Sequence, residues 1–505
     1  MVSSTPMSTA TLRRRLVELE VSILAQRQLL DDLERDKEAV EAELRKTSTF
    51  PVSTLPVEIT AEFFLLSLPT IEDLRDNRRR SLKDVFQRQA PRVFLSVCRR
   101  WRDIALTTPV LWASLHLSTS SLRDGALKQG KIEEFIEQWF NRAALRPLSF
   151  AFHASRTEDD DFADGLFTPT RLRDVVHRYA SRLEYLELDI AQHELRQLNL
   201  DSVMFPLLQR VALGDQYGPE PDSLNPVVVF GQAPRLCGLE ILAEYGATLA
   251  YYSPPWQNLT KFEGEIDNLA LFTLASNLLD ARIAIEYLEE VPDPPISHPT
   301  LRSLALVTSW QGTKPVDLLK YLELPALQSL HVSEVDNIED SFFSFLERSS
   351  PPLQTLSMGG TVELSEWQEC LLLVNPTLEN LELDSPSNEI QRSILTCHRL
   401  PSVQTVLPRL QSLVFKNIHG MNYWDLVDFL DGRMISPRFA TPRSFRAVCS
   451  NGTSLEDTTG GPYASQDTVT DRLTRLGERG IDINIQTEHN QLLSSGHRVC
   501  FSTTS

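Results

Sequence analysis

The strongest constraint on the fold is a short pattern that recurs along most of the chain. The stretches SRLEYLEL, PLLQRVAL, PRLCGLEI, QNLTKFEG, PTLRSLAL, PALQSLHV, PPLQTLSM, PTLENLEL and PRLQSLVF each carry a leucine and an apolar residue three positions later. All but QNLTKFEG carry another apolar residue five positions later. The leading leucines are Leu183, Leu208, Leu236, Leu259, Leu301, Leu327, Leu353, Leu378 and Leu410. The gap from Leu259 to Leu301 is nearly double, and NLLDARIAI around Leu278 fills it with a degenerate copy. Residues two apart on a strand share a face, so the last two apolar positions of each unit point into one core and the residue between them points out.

The steps average about 25 residues, within the range of leucine-rich repeats. Between units lie amphipathic segments such as VDLLKYLEL, SFFSFLERS, EWQECLLLV and WDLVDFLDG. A strand, a crossover helix and the next parallel strand stack so that each unit covers its neighbour's apolar side, and no unit folds alone. The expected class is therefore α/β, with a leucine-rich-repeat-like α/β solenoid over residues 145–487; an ordinary doubly wound domain would not need the same leucine pattern so often. The Asn or Cys usual after such a strand is replaced by Ala191, Ser309, Val335 and Pro386, which predicts an irregular array. After residue 450, SNGTSLEDTTGGPYASQD reads as a loop, VTDRLTRLGERG as a helix and IDINIQ as a strand closing the array, with residues 488–505 a flexible tail.

Ahead of the repeats, residues 1–10 are expected to be disordered. Residues 11–46 then place Leu12, Leu16, Leu19, Ile23, Leu30, Leu33, Val40 and Leu44 at alternating spacings of four and three, with Gln26 and Lys37 at the two remaining seam positions. This heptad seam predicts a coiled-coil-like helix, which either joins two copies as a homodimer or lies as a single helix on its own domain. TSTFPVSTLP, with two prolines and a Ser/Thr cluster, then reads as a linker.

The next module opens with LPVEITAEFF at Leu55 and closes with VFLSVCRRWRDIALTTPVLW from Val93. Pro56 suits the first turn of a helix, and Leu55, Ile59, Phe63 and Phe64 are expected to share one stripe. Around them Arg78, Arg79, Arg80, Lys83, Arg88, Arg92, Arg99, Arg100 and Arg102 form a basic island in an acidic chain, suited to an acidic partner surface. The region 50–117 resembles an F-box, a small all-helical module. Leu55, Pro56, Glu58 and Ile59 match its opening, and Val97, Cys98, Arg99, Trp101 and Thr108 to Trp112 match its second half. Thr60 stands where an aliphatic residue is usual, and SLPTIEDLRDNRRRSLKDVFQRQ is longer than the usual insertion. With the irregular repeats behind it, the layout resembles the large fungal, basidiomycete-type F-box family. The resemblance implies docking on a Skp-type adaptor, and through it on a cullin-RING ubiquitin ligase, by Leu55, Pro56, Ile59, Phe63, Val97, Cys98 and Trp101. It implies too that the repeats hold a protein substrate.

The remaining features narrow the function by exclusion. Lys and Arg total 49 against 68 Asp and Glu, a net charge of −19, which argues against general binding to nucleic acid or anionic membranes. The six cysteines form no C-x-x-C pair, no apolar run is long enough to span a membrane, and no signal peptide is legible, so a cytoplasmic or nuclear protein without disulfides is expected. No phosphate loop, nucleophile elbow or zinc-protease motif occurs. The run of Asp159, Asp160 and Asp161 lacks the ligand order of a calcium loop. No enzymatic activity, cofactor or metal is therefore expected. Among the outward positions of the repeats, Ser303, Ala305, Ser329, His331, Thr355 and Ser357 are small or uncharged apart from His331 and form the expected substrate-binding rungs. Two alternatives stay open: a scaffold that binds the adaptor without ubiquitin transfer, and a repeat protein whose F-box has lost the adaptor.

Overall fold

The computed structural model describes residues 9–47, 55–68, 91–118, 132–154, 168–215, 226–243, 249–285, 292–308, 314–333, 340–360, 362–397, 406–418, 421–449, 468–487 and 491–494. The chain divides into two compact units, the first ending at Leu111 and the second beginning at Trp112. Residues 69–90, with Arg78, Arg79, Arg80, Lys83 and Arg88, lie outside the described residues, as do Asp159 to Asp161 and the loop after residue 450.

The first unit contains helices Thr9–Thr47, Val57–Leu66, Arg92–Val97 and Arg99–Thr107. The long helix begins at Thr9, so residues 9 and 10 of the stretch expected to be disordered are helical, and it ends one residue after the expected range 11–46. Pro56 caps Val57–Leu66 and needs no N–H there. Cys98, in an extended conformation, separates the last two helices, and its Sγ accepts from Trp101 N at 3.4 Å. Phe64 stacks on Phe94 with ring centroids 3.9 Å apart, and Trp101 meets both rings edge-on at 5.0 and 6.0 Å. Thr60, buried beside this cluster, donates its hydroxyl proton to Pro56 O at 3.0 Å, so a polar residue replaces an aliphatic one without an unmet hydrogen bond.

The second unit is built on strands Ser114–Ser118 (β1), Leu148–His153 (β2), Leu183–Asp189 (β3), Arg210–Asp215 (β4), Val227–Val228 (β5), Gly238–Ala243 (β6), Tyr252–Ser253 (β7), Lys261–Ile266 (β8), Asp280–Ile285 (β9), Ile296–Ser297 (β10), Ser303–Thr308 (β11), Leu322–Glu323 (β12), Ser329–Val332 (β13), Thr355–Gly359 (β14), Asn380–Asp384 (β15), Ser412–Ile418 (β16), Ser444–Cys449 (β17), Asp482–Thr487 (β18) and Gln491–Ser494 (β19). Fifteen of them form one sheet in chain order, β1-β2-β3-β4-β6-β8-β9-β11-β13-β14-β15-β16-β17-β18-β19. Every pair is parallel except β18 with β19. The fold is α/β with a large parallel sheet. All ten leading leucines, Leu278 included, are buried, as are the apolar residues three positions after each. The residue after each leading leucine carries the ladder onward: Gln209 N donates to Glu184 O, Cys237 N to Gln209 O, Thr260 N to Cys237 O, and so on to Asp482 N with Arg443 O.

QNLTKFEG breaks the apolar pattern for a steric reason. A Cβ on Gly264 would stand 2.9 Å from Ile241 O and 3.0 Å from Ile241 Cβ, so the strands approach too closely there for a side chain.

Three boundaries differ from the sequence-based expectation. The sheet begins at Ser114, because Leu115 and Leu117 turn into the core, so residues 114–117 belong with the repeats. Gln491–Ser494 pairs with β18, which places a strand inside the expected tail. Crossover helices are regular at both ends of the sheet, at Ile132–Arg142 and Pro169–Tyr179 early and at Asp340–Ser349, Leu364–Val374, Asn388–Thr396, Tyr423–Ile435 and Val469–Glu478 late, where each of the last five touches the next. Between β4 and β13 the crossovers contain prolines such as Pro226, Pro234, Pro254, Pro255 and Pro295, which stop helices, and short ladders of β5 with β7 and β10 with β12 appear there.

Arginine supports two of the turns. Arg348 donates from Nη2 to Leu319 O and Leu322 O, both at 2.8 Å, and Arg433 from Nη2 to Leu407 O at 2.7 Å and Leu410 O at 3.0 Å. Arg433 is buried over the rings of Phe429 and Phe439, and burial pulls its pKa down to about 10, still charged at neutral pH.

Candidate functional site

The first candidate surface lies on helices Val57–Leu66 and Arg92–Val97. Phe64 turns inward at 1% exposed, whereas Ile59, Phe63 and Leu66 turn outward at 46%, 58% and 81%. These three sit at i, i+4 and i+7, one face of a helix. Phe64 therefore leaves the stripe expected to hold it, because its ring is needed to stack on Phe94. On the neighbouring helix Val93 and Val97 are also exposed, the latter at 54%, and Cys98 follows them on the surface. Leu55 is half-buried and Pro56 exposed. Trp101, expected among the docking residues, is half-buried with its ring against Phe64 and Phe94, so it contributes to the unit's own core.

The arginines of this unit have local duties. Arg100 Nη2 donates to Leu55 O at 2.7 Å, fixing the start of the helix Val57–Leu66, and Arg102 Nε donates to Leu95 O at 2.9 Å. Both remain exposed beside Arg99, so positive charge borders the apolar face. Leu66 and Val93 were legible as apolar residues, but their outward direction depends on the Phe64–Phe94 stack.

The second candidate surface is on the sheet. Ser303, Ser329 and Thr355 are register partners on β11, β13 and β14, and Ala305, His331 and Ser357 form the adjacent row. Three strands span about 10 Å, so the six expected residues make one contiguous patch. All are half-buried except Ser357, which is buried. Ser357 is not the open position that its size suggests: His331 Nδ1 lies 2.7 Å from its Oγ, and that hydroxyl donates to Glu382 Oε1 at 3.1 Å. Lys416 Nζ donates to the same carboxylate oxygen at 2.6 Å. Glu382 accepts only and the serine has one proton, so His331 Nδ1 must donate to Ser357, which leaves Nε2 as the ring's acceptor. Burial pushes the His331 pKa below its usual value, with Arg282 and Lys416 acting in the same direction and Glu382 and Asp384 against it.

This order of groups is wrong for nucleophilic catalysis. A catalytic serine gives its proton to histidine while the acid holds the far side of the ring; here acid and imidazole share one hydroxyl. The arrangement instead holds a neutral imidazole rigidly on the face of the sheet.

On the earlier strands β3, β4 and β6, several of the outward positions are buried. Tyr185, Glu187, Ala212 and Glu240 are all covered. Tyr185 Oη donates to Glu187 Oε2, His153 Nε2 lies 3.0 Å from Glu187 Oε1, and His153 Nδ1 lies 3.6 Å from Asp189 Oδ2. A Cβ on Gly214 would fall 2.4 Å from Asp189 Oδ1, so glycine makes room for that carboxylate. The flanking charges pair across strands, Lys261 with Asp280 and Arg282 with Glu263, each at 3.6 Å.

Among the described residues no group of His, Cys, Asp or Glu is arranged to hold a metal ion, and no helix is long and apolar enough to cross a membrane. Comparison with known proteins finds no matching family model and no matching curated protein.

Proposed function

We propose that the chain is the substrate-recognition subunit of a Skp/cullin/F-box type ubiquitin ligase: an F-box in the first unit docks on a Skp-type adaptor, and a leucine-rich-repeat-like solenoid in the second holds a protein substrate. The observation that carries the reading is the outward apolar face of Ile59, Phe63, Leu66, Val93 and Val97, set on helices whose opposite sides are pinned by the Phe64, Phe94 and Trp101 cluster. So small a unit holds few aromatic residues, yet it spends Phe63 on its surface, a placement that suits a partner. The motif residues Leu55, Pro56, Ile59, Val97 and Cys98 supply the identity of that partner by resemblance, and the exposed arginines suit an acidic one. Catalysis in this reading comes from other subunits.

The test is co-purification of the full chain with a Skp-type adaptor and a cullin. Ile59→Asp with Phe63→Asp changes exposed residues, so the variant should fold and lose the adaptor; retained binding by the folded variant overturns the assignment. Ala305→Arg, on the sheet, should remove a ubiquitylated client and keep the adaptor. Adaptor capture without any ubiquitylated client, when the proteasome is inhibited, would instead support the scaffold without ubiquitin transfer.

A further inference from the structure

Among the described side chains, the N-terminal helix presents an open apolar seam. Leu16, Leu19, Ile23, Leu30, Leu33 and Val40 are each between 47% and 61% exposed, an unusual density of open aliphatic side chains for one face. Spacing assigns Leu16, Ile23, Leu30, Lys37 and Leu44 to the a positions of a heptad and Leu12, Leu19, Gln26, Leu33 and Val40 to the d positions. The two polar residues are therefore of different classes, one a and one d.

That difference decides how two copies can pair. In a parallel, in-register pair each residue faces its own copy, so Lys37 meets Lys37 and Gln26 meets Gln26 in the seam. Asp36 would also flank Glu41 of the other copy, and only Arg15 with Glu20 would oppose that repulsion. In an antiparallel pair, a positions face d positions. Shifting such a pair a heptad at a time, one alignment alone brings Lys37 opposite Gln26 of the other copy, and it does so twice by symmetry. The same alignment sets Ile23 against Val40, Leu30 against Leu33 and Leu44 against Leu19, so every remaining layer is apolar on both sides except the outermost, where Leu16 meets Thr47 at the helix end. Neighbouring shifts set Lys37 and Gln26 against leucines, which parts the two polar side chains and places each in an otherwise apolar layer.

The flanks fit as well. Arg27 falls beside Glu34 of the other copy, and the one like-charge pair, Glu20 with Glu41, is eased by Lys37, whose Nζ lies 3.8 Å from Glu41 Oε1 in the same helix. We infer that the occupant of this seam is a second copy of the chain, joined as an antiparallel homodimer with Lys37 opposite Gln26. This goes beyond the ligase reading and does not depend on it.

The test uses two full-length single-cysteine additions, Gln26→Cys and Lys37→Cys, oxidised separately and as a mixture, with the cross-linked peptide identified by mass so that native cysteines are told apart. In the inferred alignment the two copies of residue 26 are separated by eleven residues along the axis, about 16 Å at 1.5 Å per residue. Such a gap is too long for a disulfide. Only the mixture should therefore give the 26-to-37 link, and light scattering of the unmodified chain should give twice the chain mass. A 26-to-26 link from the first variant alone would show a parallel pair and overturn the proposal. A monomeric mass for the unmodified chain would overturn it without reference to the variants.

Discussion

Phe63 and Phe64 are adjacent in sequence and should fail in opposite ways. Phe64 is 1% exposed and stacks on Phe94 at 3.9 Å, so Phe64→Ala removes a core ring from a unit with few others. Truncations of this kind cost about 3–5 kcal/mol, enough to unfold a small module. Phe63 is 58% exposed, so Phe63→Ser should alter stability by no more than about 0.5 kcal/mol. Its cost should appear on binding instead. With about 200 Å² for a whole phenylalanine, its open 58% leaves about 115 Å² to be covered, or about 3 kcal/mol at 25 cal/mol per Å². That corresponds to about a hundredfold weaker adaptor capture. Hydrogen exchange of peptides from residues 55–68 reads the fold, and adaptor titration of the full chain reads the binding. Faster exchange in Phe63→Ser, or native protection in Phe64→Ala, would refute the assignment of inside and outside on this helix.

Three further outcomes follow from the second unit. Gly264→Val should destabilise the sheet by about 1–3 kcal/mol through the clash with Ile241, and an unchanged urea midpoint would contradict the close approach. Arg433→Met should cost about 2–4 kcal/mol by leaving Leu407 O and Leu410 O buried without their donor, read as a lower unfolding midpoint of the repeats. His331 has a folded pKa below its ordinary value, so the unfolded chain takes up that proton first as pH falls, and its contribution to stability is lost below about pH 6.5. His331→Gln should flatten that part of the pH dependence; identical slopes for the variant and the unmodified chain between pH 7 and 5 would remove the histidine from the account.

The leucine pattern made the middle of the sheet legible because each unit repeats the same burial problem, and ten strands could be placed from spacing alone, the degenerate copy at Leu278 among them. Ser114–Ser118 and Ser444–Cys449 went unmarked, since no leucine leads them: Trp112 and Pro442 stand near those places, and the core there is made by Leu115 and Leu117 and by Phe445 and Ala447. Alternation correctly told which residues leave the core, but not what covers them next. Glu187 and Glu240 are outward by period two and still buried, an outcome set by neighbouring strands and not by their own.

The same limit governs the candidate sites. His331, Ser357, Glu382 and Lys416 are 26, 25 and 34 residues apart in turn, so their hydrogen-bond chain depends on the register of four strands and cannot be read from any one of them. Stripe reasoning likewise put Phe63 and Phe64 together, because neighbouring helical positions differ by only about 100° and either could face a core. What separates them is the ring of Phe94, some thirty residues on. Sequence periodicity assigns a face to a residue only when one partner surface exists. The helix Val57–Leu66 has an inward and an outward apolar side, and a second apolar side with no core to cover it is the physical content of the docking proposal.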